Sequence, residues 1–230
     1  MIRCNGVHHL AVSTADIKAQ IEFMSDVLGM ELVALYWMHG VEGAWHGFMK
    51  LDDHSYLAFV QTPAIAKIER QLGVSHSGSP GAPSAGGTMQ HLAFNVDTFE
   101  ELLAYRDRIR SRGLTVIGPI HHGLCDSIYF AGPEDLSLEI ATSERAIDGR
   151  AWIDPEVVAL ANISPAELAR FRGPEPLSLS GGKLAQPAID RSKPIMRGWP
   201  PGVYEHLSSL PDAELTERMS ETEPPVKVEE

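Results

Sequence analysis

The chain repeats itself. His9 opens the segment His-Leu-Ala-Val, and His91 opens the near copy His-Leu-Ala-Phe 82 positions later (91 − 9 = 82). In each copy a strand-like start is followed by apolar residues at helical spacing, a glycine that ends the helix, and three more strand-like segments. This pattern predicts an α+β fold of two tandem βαβββ modules. Helices would cover one face of each sheet, and the other face would line a cavity.

The boundaries of the elements follow from local signals. The first helix is expected to begin after Asp16 and end at Gly29, and the second to begin in the capping-box-like segment 97–100 and end at Gly113. The later strand-like segments are 31–38, 47–51 and 56–61 in the first copy, and 114–117, 127–131 and 136–141 in the second. The sequence Gly-Pro-Glu-Asp at 132–135 predicts a turn.

Four segments make up the expected domain organisation. They are a first βαβββ module at 1–70, a Gly/Ser/Pro linker at 71–88, a second module at 89–143 and a C-terminal extension at 144–230. The linker composition is typical of a solvated, flexible connection, with a lid as the less favoured alternative. The extension is Pro-rich, with short helices expected to start at Asp154 and Ser164 and a disordered tail expected at 219–230.

Composition and charge exclude several partners. The net charge of −12 and the pI near 5.2 oppose binding to nucleic acid or to an anionic membrane. Cys4 and Cys125 do not have metal-type spacing, and two reduced thiols are favoured over one disulfide. There is no apolar run of signal-peptide or membrane-span length, so we expect a cytoplasmic protein.

Strand parity places three polar side chains on faces that are not core. His9 lies opposite Leu10 and Val12, and His91 opposite Leu92 and Phe94, because successive side chains on a strand alternate in direction. Glu139 likewise lies opposite its apolar neighbours in Leu-Ser-Leu-Glu-Ile. A lone strand histidine is usually structural, but two at equivalent repeat positions with a nearby carboxylate predict a divalent metal site formed by His9, His91 and Glu139.

The two modules, the histidine that precedes Asp16 by seven residues and the Gly-Pro-Glu-Asp turn before Leu-Glu-Ile together resemble the vicinal oxygen chelate superfamily. That superfamily includes glyoxalases, bleomycin- and fosfomycin-resistance proteins, methylmalonyl-CoA epimerases and type I extradiol dioxygenases. The resemblance covers about residues 5–142. It implies a small enzyme with one pair of modules, where many extradiol dioxygenases have four modules, and it implies a homodimer.

The residues around the predicted site resemble the extradiol dioxygenases more than the glyoxalases. Glyoxalases take a fourth ligand from the position of Ala58 or Phe59, neither of which can bind a metal, and Gln61 would need a shifted register. The extradiol enzymes carry a tyrosine ten residues before the metal-binding glutamate, as Tyr129 precedes Glu139. They also carry a histidine shortly before that tyrosine, where His122 lies here.

The resemblance therefore implies Fe(II), with Mn, Zn, Ni or Co as other candidates, and cleavage of a catecholic substrate by O₂ in aromatic catabolism. It implies that His54, or alternatively His46, is the acid/base, that Tyr129 hydrogen-bonds the bound substrate and that His122 helps to hold substrate or oxygen. The alternatives are a glyoxalase, isomerase or epimerase of the same superfamily, a non-catalytic protein that binds an aromatic drug, and an inactive relative that keeps the metal site.

Overall fold

The structure is a computed structural model that describes residues 4–145, 147–177, 181–182 and 184–228. Residues 6–37 and 43–174 form one compact unit that contains both copies of the repeat. The remaining described residues, 4–5, 38–42 and those from 175 onward, form a second unit. The domain boundaries read from the sequence stay predictions.

The first copy forms a four-stranded sheet with one helix. Its elements are β1 (His9–Ser13), α1 (Ile17–Asp26), β2 (Leu32–Trp37), β3 (Trp45–Asp52) and β4 (Ser55–Gln61). The strand order is β1-β4-β3-β2, in which β1 runs parallel to β4 and the other neighbours are antiparallel. β2 is therefore an edge strand that pairs on one side only.

The second copy forms the same arrangement. Its elements are β5 (Leu92–Asn95), α2 (Phe99–Ser111), β6 (Ile117–His121), β7 (Asp126–Ala131) and β8 (Ser137–Thr142), with strand order β5-β8-β7-β6. Strand β5 is parallel to β8, and the other neighbours are antiparallel. The predicted α+β fold of two βαβββ modules is confirmed.

One predicted strand is displaced. The sequence indicates a strand at 114–117, but β6 begins only at Ile117. Leu114 and Val116 pack into the core, and the carbonyl of Val116 accepts a hydrogen bond from the Arg110 guanidinium (Nη2–O 3.2 Å). The apolar side chains that suggested the strand are therefore part of the core, and pairing with β7 begins only after them.

The helix boundaries follow the caps that the sequence predicts. The Asp16 side chain accepts a hydrogen bond from the Ala19 N–H (3.0 Å) at the start of α1. Thr98 and Glu101 form a reciprocal capping box at the start of α2. Gly29 and Gly113 follow the two helices with φ of +78° and +81°, a conformation that glycine adopts without steric cost.

Alternation along the strands separates the core face of each sheet from the face that carries the histidines. The core is formed by buried apolar residues of both modules, and Leu10, Val12 and Leu92 pack against it. Phe94 is itself buried in that core, whereas its neighbour Ala93 is exposed. The predicted parity of β1 and β5 is therefore confirmed.

The part of the extension that the structure describes contains four α-helices. Two of them, α3 (Pro155–Leu160) and α4 (Pro165–Arg172), begin where the Asp154 and Ser164 caps predict. In the second unit, α5 (Val203–Ser209) and α6 (Asp212–Met219) were not predicted. Residues 220–228 form no helix or strand, and Glu229 and Glu230, the end of the predicted tail, lie outside the described residues. None of the described helices is long and apolar enough to cross a membrane.

Candidate functional site

A row of polar side chains crosses the second sheet. His91 immediately precedes β5, and its Nε2 lies 2.9 Å from Oε2 of Glu139 on β8. Parallel pairing of β5 with β8 sets this contact, because Ala93, two residues after His91, pairs with Glu139. The Glu139 side chain is only 6% exposed, so its carboxylate lies out of water beside the imidazole.

The row continues onto β7 and the turn before it. Tyr129 is the cross-strand partner of Glu139, and its ring centroid lies 6.5 Å from that of His91. The Tyr129 Oη lies 2.9 Å from Nε2 of His122. Burial raises the pKa of Tyr129, a hydrogen bond with Ser127 opposes that effect, and the Glu139 charge raises the pKa further. The phenol therefore keeps its proton at neutral pH and can act as a hydrogen-bond donor.

A second group of aromatic side chains lies on the histidine-bearing face of the first sheet. His46 on β3 is 9% exposed, and its ring centroid lies 6.4 Å from that of His9 and 4.4 Å from that of Phe48. Burial lowers the pKa of His46, and the neighbouring His9 lowers it further. Its Nε2 is buried without a hydrogen-bond partner, so His46 is a neutral imidazole with an unused ring nitrogen.

His54 lies elsewhere. Asp52 pairs with Ser55 at the end of the β3–β4 hairpin, which puts His54 at the exposed tip of that hairpin. Of the two histidines that the sequence offers as acid/base, only His46 is grouped with His9. The parity of His46 with Phe48 along β3 is the sequence signal that favours it.

The donor chemistry of His91 and Glu139 fits a divalent cation. Imidazole and carboxylate are common ligands for such ions, and a metal would neutralise a carboxylate that burial has removed from water. Among the residues that the structure describes, no three His, Cys, Asp or Glu side chains lie close enough together to hold a metal ion. The structure thus brings together two of the three predicted ligands, and His9 lies on the first sheet with His46.

The position of a glyoxalase-type fourth ligand is occupied by residues that cannot serve. Ala58 is fully buried on β4, between Ala11 and Phe48. The Gln61 Oε1 accepts a hydrogen bond from the backbone N–H of Ile17 (2.7 Å) and so caps the start of α1. Gln61 is therefore committed to the fold.

A cleft of about 810 Å³ lies apart from the polar row. Apolar residues of β1, β4, β5 and β8 line it, among them Leu10, Leu57, Phe94 and Ile140, and none of the predicted metal ligands does. The residues that line this cleft include no histidine. The paired donors of the second sheet are therefore the better candidate for metal chemistry.

Sequence reasoning missed one residue of the site, Gln90. Its side-chain Oε1 is hydrogen-bonded to Nδ1 of His91, and its side-chain nitrogen is bound by the segment 79–82. Adjacency to His91 was the available signal. The contact with a segment eight to eleven residues earlier has no periodicity that a sequence would reveal.

Comparison with known proteins agrees with this fold. The model of a family described as the Glyoxalase/Bleomycin resistance protein/Dioxygenase superfamily matches residues 6–140, more than half of the chain. A biphenyl-2,3-diol 1,2-dioxygenase from Rhodococcus globerulus is 26% identical over 133 residues, which are 57% of this chain and 60% of that protein. The chain thus spans about three fifths of the length of this relative.

Solved structures that are similar to this chain have varied descriptions. A glyoxylase/bleomycin resistance protein/dioxygenase domain from Frankia is 11% identical, with a TM-score of 0.47, covering 61% of this chain and 98% of its own. A lactoylglutathione lyase from Agrobacterium tumefaciens is 19% identical, with a TM-score of 0.43, covering 61% and 96%. An antibiotic binding protein from Streptomyces is 16% identical, with a TM-score of 0.43, covering 62% and 98%.

Proposed function

The chain belongs to the Glyoxalase/Bleomycin resistance protein/Dioxygenase superfamily, and from this premise we propose that it is a metal-dependent dioxygenase of the extradiol type. Its substrate would be a catecholic aromatic compound, cleaved with O₂. The observation that carries the proposal is the polar row of His91, Glu139, Tyr129 and His122 across one sheet face. The partial likeness to a biphenyl-diol dioxygenase supports it.

The proposed ligands are His91, Glu139 and His9, the last because it occupies the equivalent position in the repeat. Fe(II) suits two imidazoles and a carboxylate, and Mn, Zn, Ni and Co are the other candidates. When bound, such a metal supplies the Lewis-acid and redox chemistry that joins a catechol to O₂. The protein holds the substrate, excludes water and moves its protons.

The neighbouring residues have distinct proposed tasks. Tyr129, which keeps its proton, donates a hydrogen bond to a substrate oxygen, and His122 orients that phenol. His46 accepts a hydroxyl proton of the catechol, because its buried Nε2 has no other partner. His54 is the alternative base, although it lies at an exposed hairpin tip.

Oxygen uptake tests the function directly. Anaerobically purified protein loaded with Fe(II) is expected to consume O₂ when given catechols and to release a yellow ring-opened product. His91→Ala is the control and should abolish both signals. No uptake by protein with iron shown to be bound, across a panel of catechols, would move the assignment to a non-oxidative enzyme of the same superfamily.

The same assay separates the two candidate bases. We expect His46→Ala to lower kcat by roughly 100-fold or more, the typical contribution of a general base. His54→Ala is the matched variant on the same hairpin. A larger loss of kcat with His54→Ala than with His46→Ala would assign the proton transfer to His54.

We also propose that the chain forms a homodimer through β2. This edge strand, Leu-Val-Ala-Leu-Tyr-Trp, carries no charge, and its exposed side chains include Val33, Leu35 and Trp37. The equivalent edge strand β6 carries Pro119, which cannot donate to a neighbouring strand. An uncharged edge strand can pair with a second copy of itself.

A single charge should prevent that pairing. We expect light scattering to give twice the 25.1 kDa chain mass for the native protein and the single chain mass for Val33→Lys. Val33→Thr keeps the branched shape and should remain dimeric. A monomeric native protein, or a Val33→Lys protein that stays dimeric, would contradict the proposed interface.

A further inference from the structure

Gln90 connects the segment between the modules to His91. Its side-chain Nε2 lies 3.1 Å from the carbonyl oxygen of Ser79, 2.8 Å from that of Pro80 and 3.2 Å from that of Ala82. Its Oε1 is hydrogen-bonded to Nδ1 of His91. The segment also holds the Gln90 backbone, because the buried hydroxyl of Ser77 donates to the Gln90 carbonyl.

These contacts fix which way the amide points. Three carbonyl oxygens can only accept hydrogen bonds, so they require the NH₂ group of Gln90 and would repel its oxygen. The Oε1 must then face His91, and because it is an acceptor, Nδ1 of His91 must carry the proton.

The tautomer of His91 follows. In a neutral imidazole with the proton on Nδ1, Nε2 has a free lone pair, and this lone pair faces the Glu139 carboxylate at 2.9 Å. Two acceptors at that distance repel each other unless a proton or a cation lies with them. The arrangement suits a metal ligand, whose other ring nitrogen commonly donates to an oxygen.

We propose that Gln90 is a positioning residue that fixes the Nδ1–H tautomer and the orientation of His91 and is itself held by the segment 79–82. The hydrogen bond between the Nδ1 proton and Gln90 is present without a metal, and a proton shared by Nε2 and the Glu139 carboxylate then takes the place of the cation. Its relevance to metal binding rests on the proposed function, in which His91 is a ligand. The segment 71–88, expected to be a solvated linker, thus acts on the site through one amide.

The tautomer can be read without any metal. In metal-free protein with ¹⁵N-labelled histidine, long-range ¹H–¹⁵N correlation at pH 8 should show His91 protonated on Nδ1, with the signal assigned by its loss in His91→Ala. In Gln90→Leu, which is similar in size but lacks the acceptor, the Nδ1–H signal should give way to a mixture of tautomers. A native His91 with no proton on Nδ1, or an unchanged Nδ1–H signal in Gln90→Leu, overturns the proposal.

A second variant separates the acceptor from the anchor. Gln90→Glu keeps an oxygen for His91 but has no donor for the three carbonyls, so we expect it to retain the Nδ1–H tautomer while amide exchange in segment 77–82 becomes faster. A folded Gln90→Glu protein with unchanged exchange in that segment would show that Gln90 does not anchor it, and would overturn that half of the proposal.

Zn²⁺ affinity, measured by competition with a chromophoric chelator, links the tautomer to the metal. Gln90→Leu should bind Zn²⁺ roughly 10- to 100-fold more weakly than the native protein, the usual effect of removing a hydrogen-bond partner of a ligand histidine. Gln90→Glu keeps an acceptor for His91 and should bind Zn²⁺ nearly as well as the native protein. If the native protein bound no Zn²⁺ but kept the Nδ1–H tautomer, the metal site of the proposed function would fail and the role of Gln90 would stand. Equal Zn²⁺ affinity in native and Gln90→Leu protein would overturn the link.

Discussion

Replacing His91 or Glu139 with alanine is expected to lower metal affinity by more than roughly 100-fold. Loss of a residue that only hydrogen-bonds to a ligand lowers it by roughly 10- to 100-fold, and these substitutions remove a ligand itself. Each substitution removes a donor from the pair whose atoms lie 2.9 Å apart. Glu139→Ala also removes the buried negative charge that attracts a cation. The measurement is a Zn²⁺ titration of each purified variant against a chromophoric chelator, with circular dichroism to show that the fold is kept.

His9→Ala decides how many ligands the site has. If His9 is the third ligand, its loss should weaken Zn²⁺ binding about as much as the loss of His91. His206→Ala, a change at an exposed histidine of α5, is the matched control and should bind as the native protein does. Native-like binding by both His91→Ala and Glu139→Ala would contradict the proposed metal site altogether.

The repeat, the caps and the strand parity of this fold could be predicted from the sequence because each depends on residues close together along the chain. Asp16 caps α1 within three residues, and alternation places Leu10 and His9 on opposite faces whatever the rest of the chain does. The strand at 114–117 was misplaced because Leu114 and Val116 are apolar in either environment. Only the packing of the folded core decides whether such residues form a strand.

Side chains that meet across neighbouring strands are predictable when the sheet order is known. His91 and Glu139 come together because β5 and β8 are neighbours in register, as they are in any βαβββ module of this order. His54 shows the limit. One residue of difference in hairpin register moves a histidine from a sheet face to an exposed tip, and composition does not encode that register.

The contact of Gln90 with the segment 79–82 lies beyond prediction of this kind. It depends on how a segment rich in glycine, serine and proline folds back, and such a composition favours many conformations. One amide, that of Gln90, and one buried hydroxyl, that of Ser77, connect this segment to the residue before His91. Single polar groups of this sort leave no periodic signal.

Glu134 joins the two modules through hydrogen bonds. From the turn after β7, its carboxylate accepts from the Thr14 hydroxyl (2.5 Å), the Ala15 N–H (2.9 Å) and the Gln20 side chain (2.9 Å), all at the start of α1. It is mostly buried, and its backbone has a φ of +56°, which a non-glycine residue adopts only when its surroundings hold it there. The negative charge also lies near the N-terminus of α1, where it is favoured.

The charge of Glu134 makes this junction sensitive to pH. Burial alone raises the pKa of Glu134, but the hydrogen bonds from Thr14, Ala15 and Gln20, together with Arg70, outweigh it and hold the pKa below its usual range. In the unfolded chain the pKa returns to about 4.3. The stabilisation is therefore fully present above that pH. It is lost as the pH falls through the lower pKa of the folded state, because the unfolded chain binds the proton first.

We expect Glu134→Gln to lower the free energy of unfolding at pH 7 by roughly 1.5–3 kcal/mol, the range for hydrogen bonds to a charged group. Asp135→Asn is the matched control on the adjacent residue, which also has a positive φ but forms only a half-exposed ion pair with Arg70 (3.3 Å). Asp135→Asn should lower the free energy of unfolding by at most about 1 kcal/mol. Urea unfolding of the three proteins between pH 7 and pH 3 measures both effects. The difference in the free energy of unfolding between native and Glu134→Gln protein should become smaller below pH ~4.3. If this difference is absent at pH 7, or does not change with pH, the charge of Glu134 does not hold the modules together.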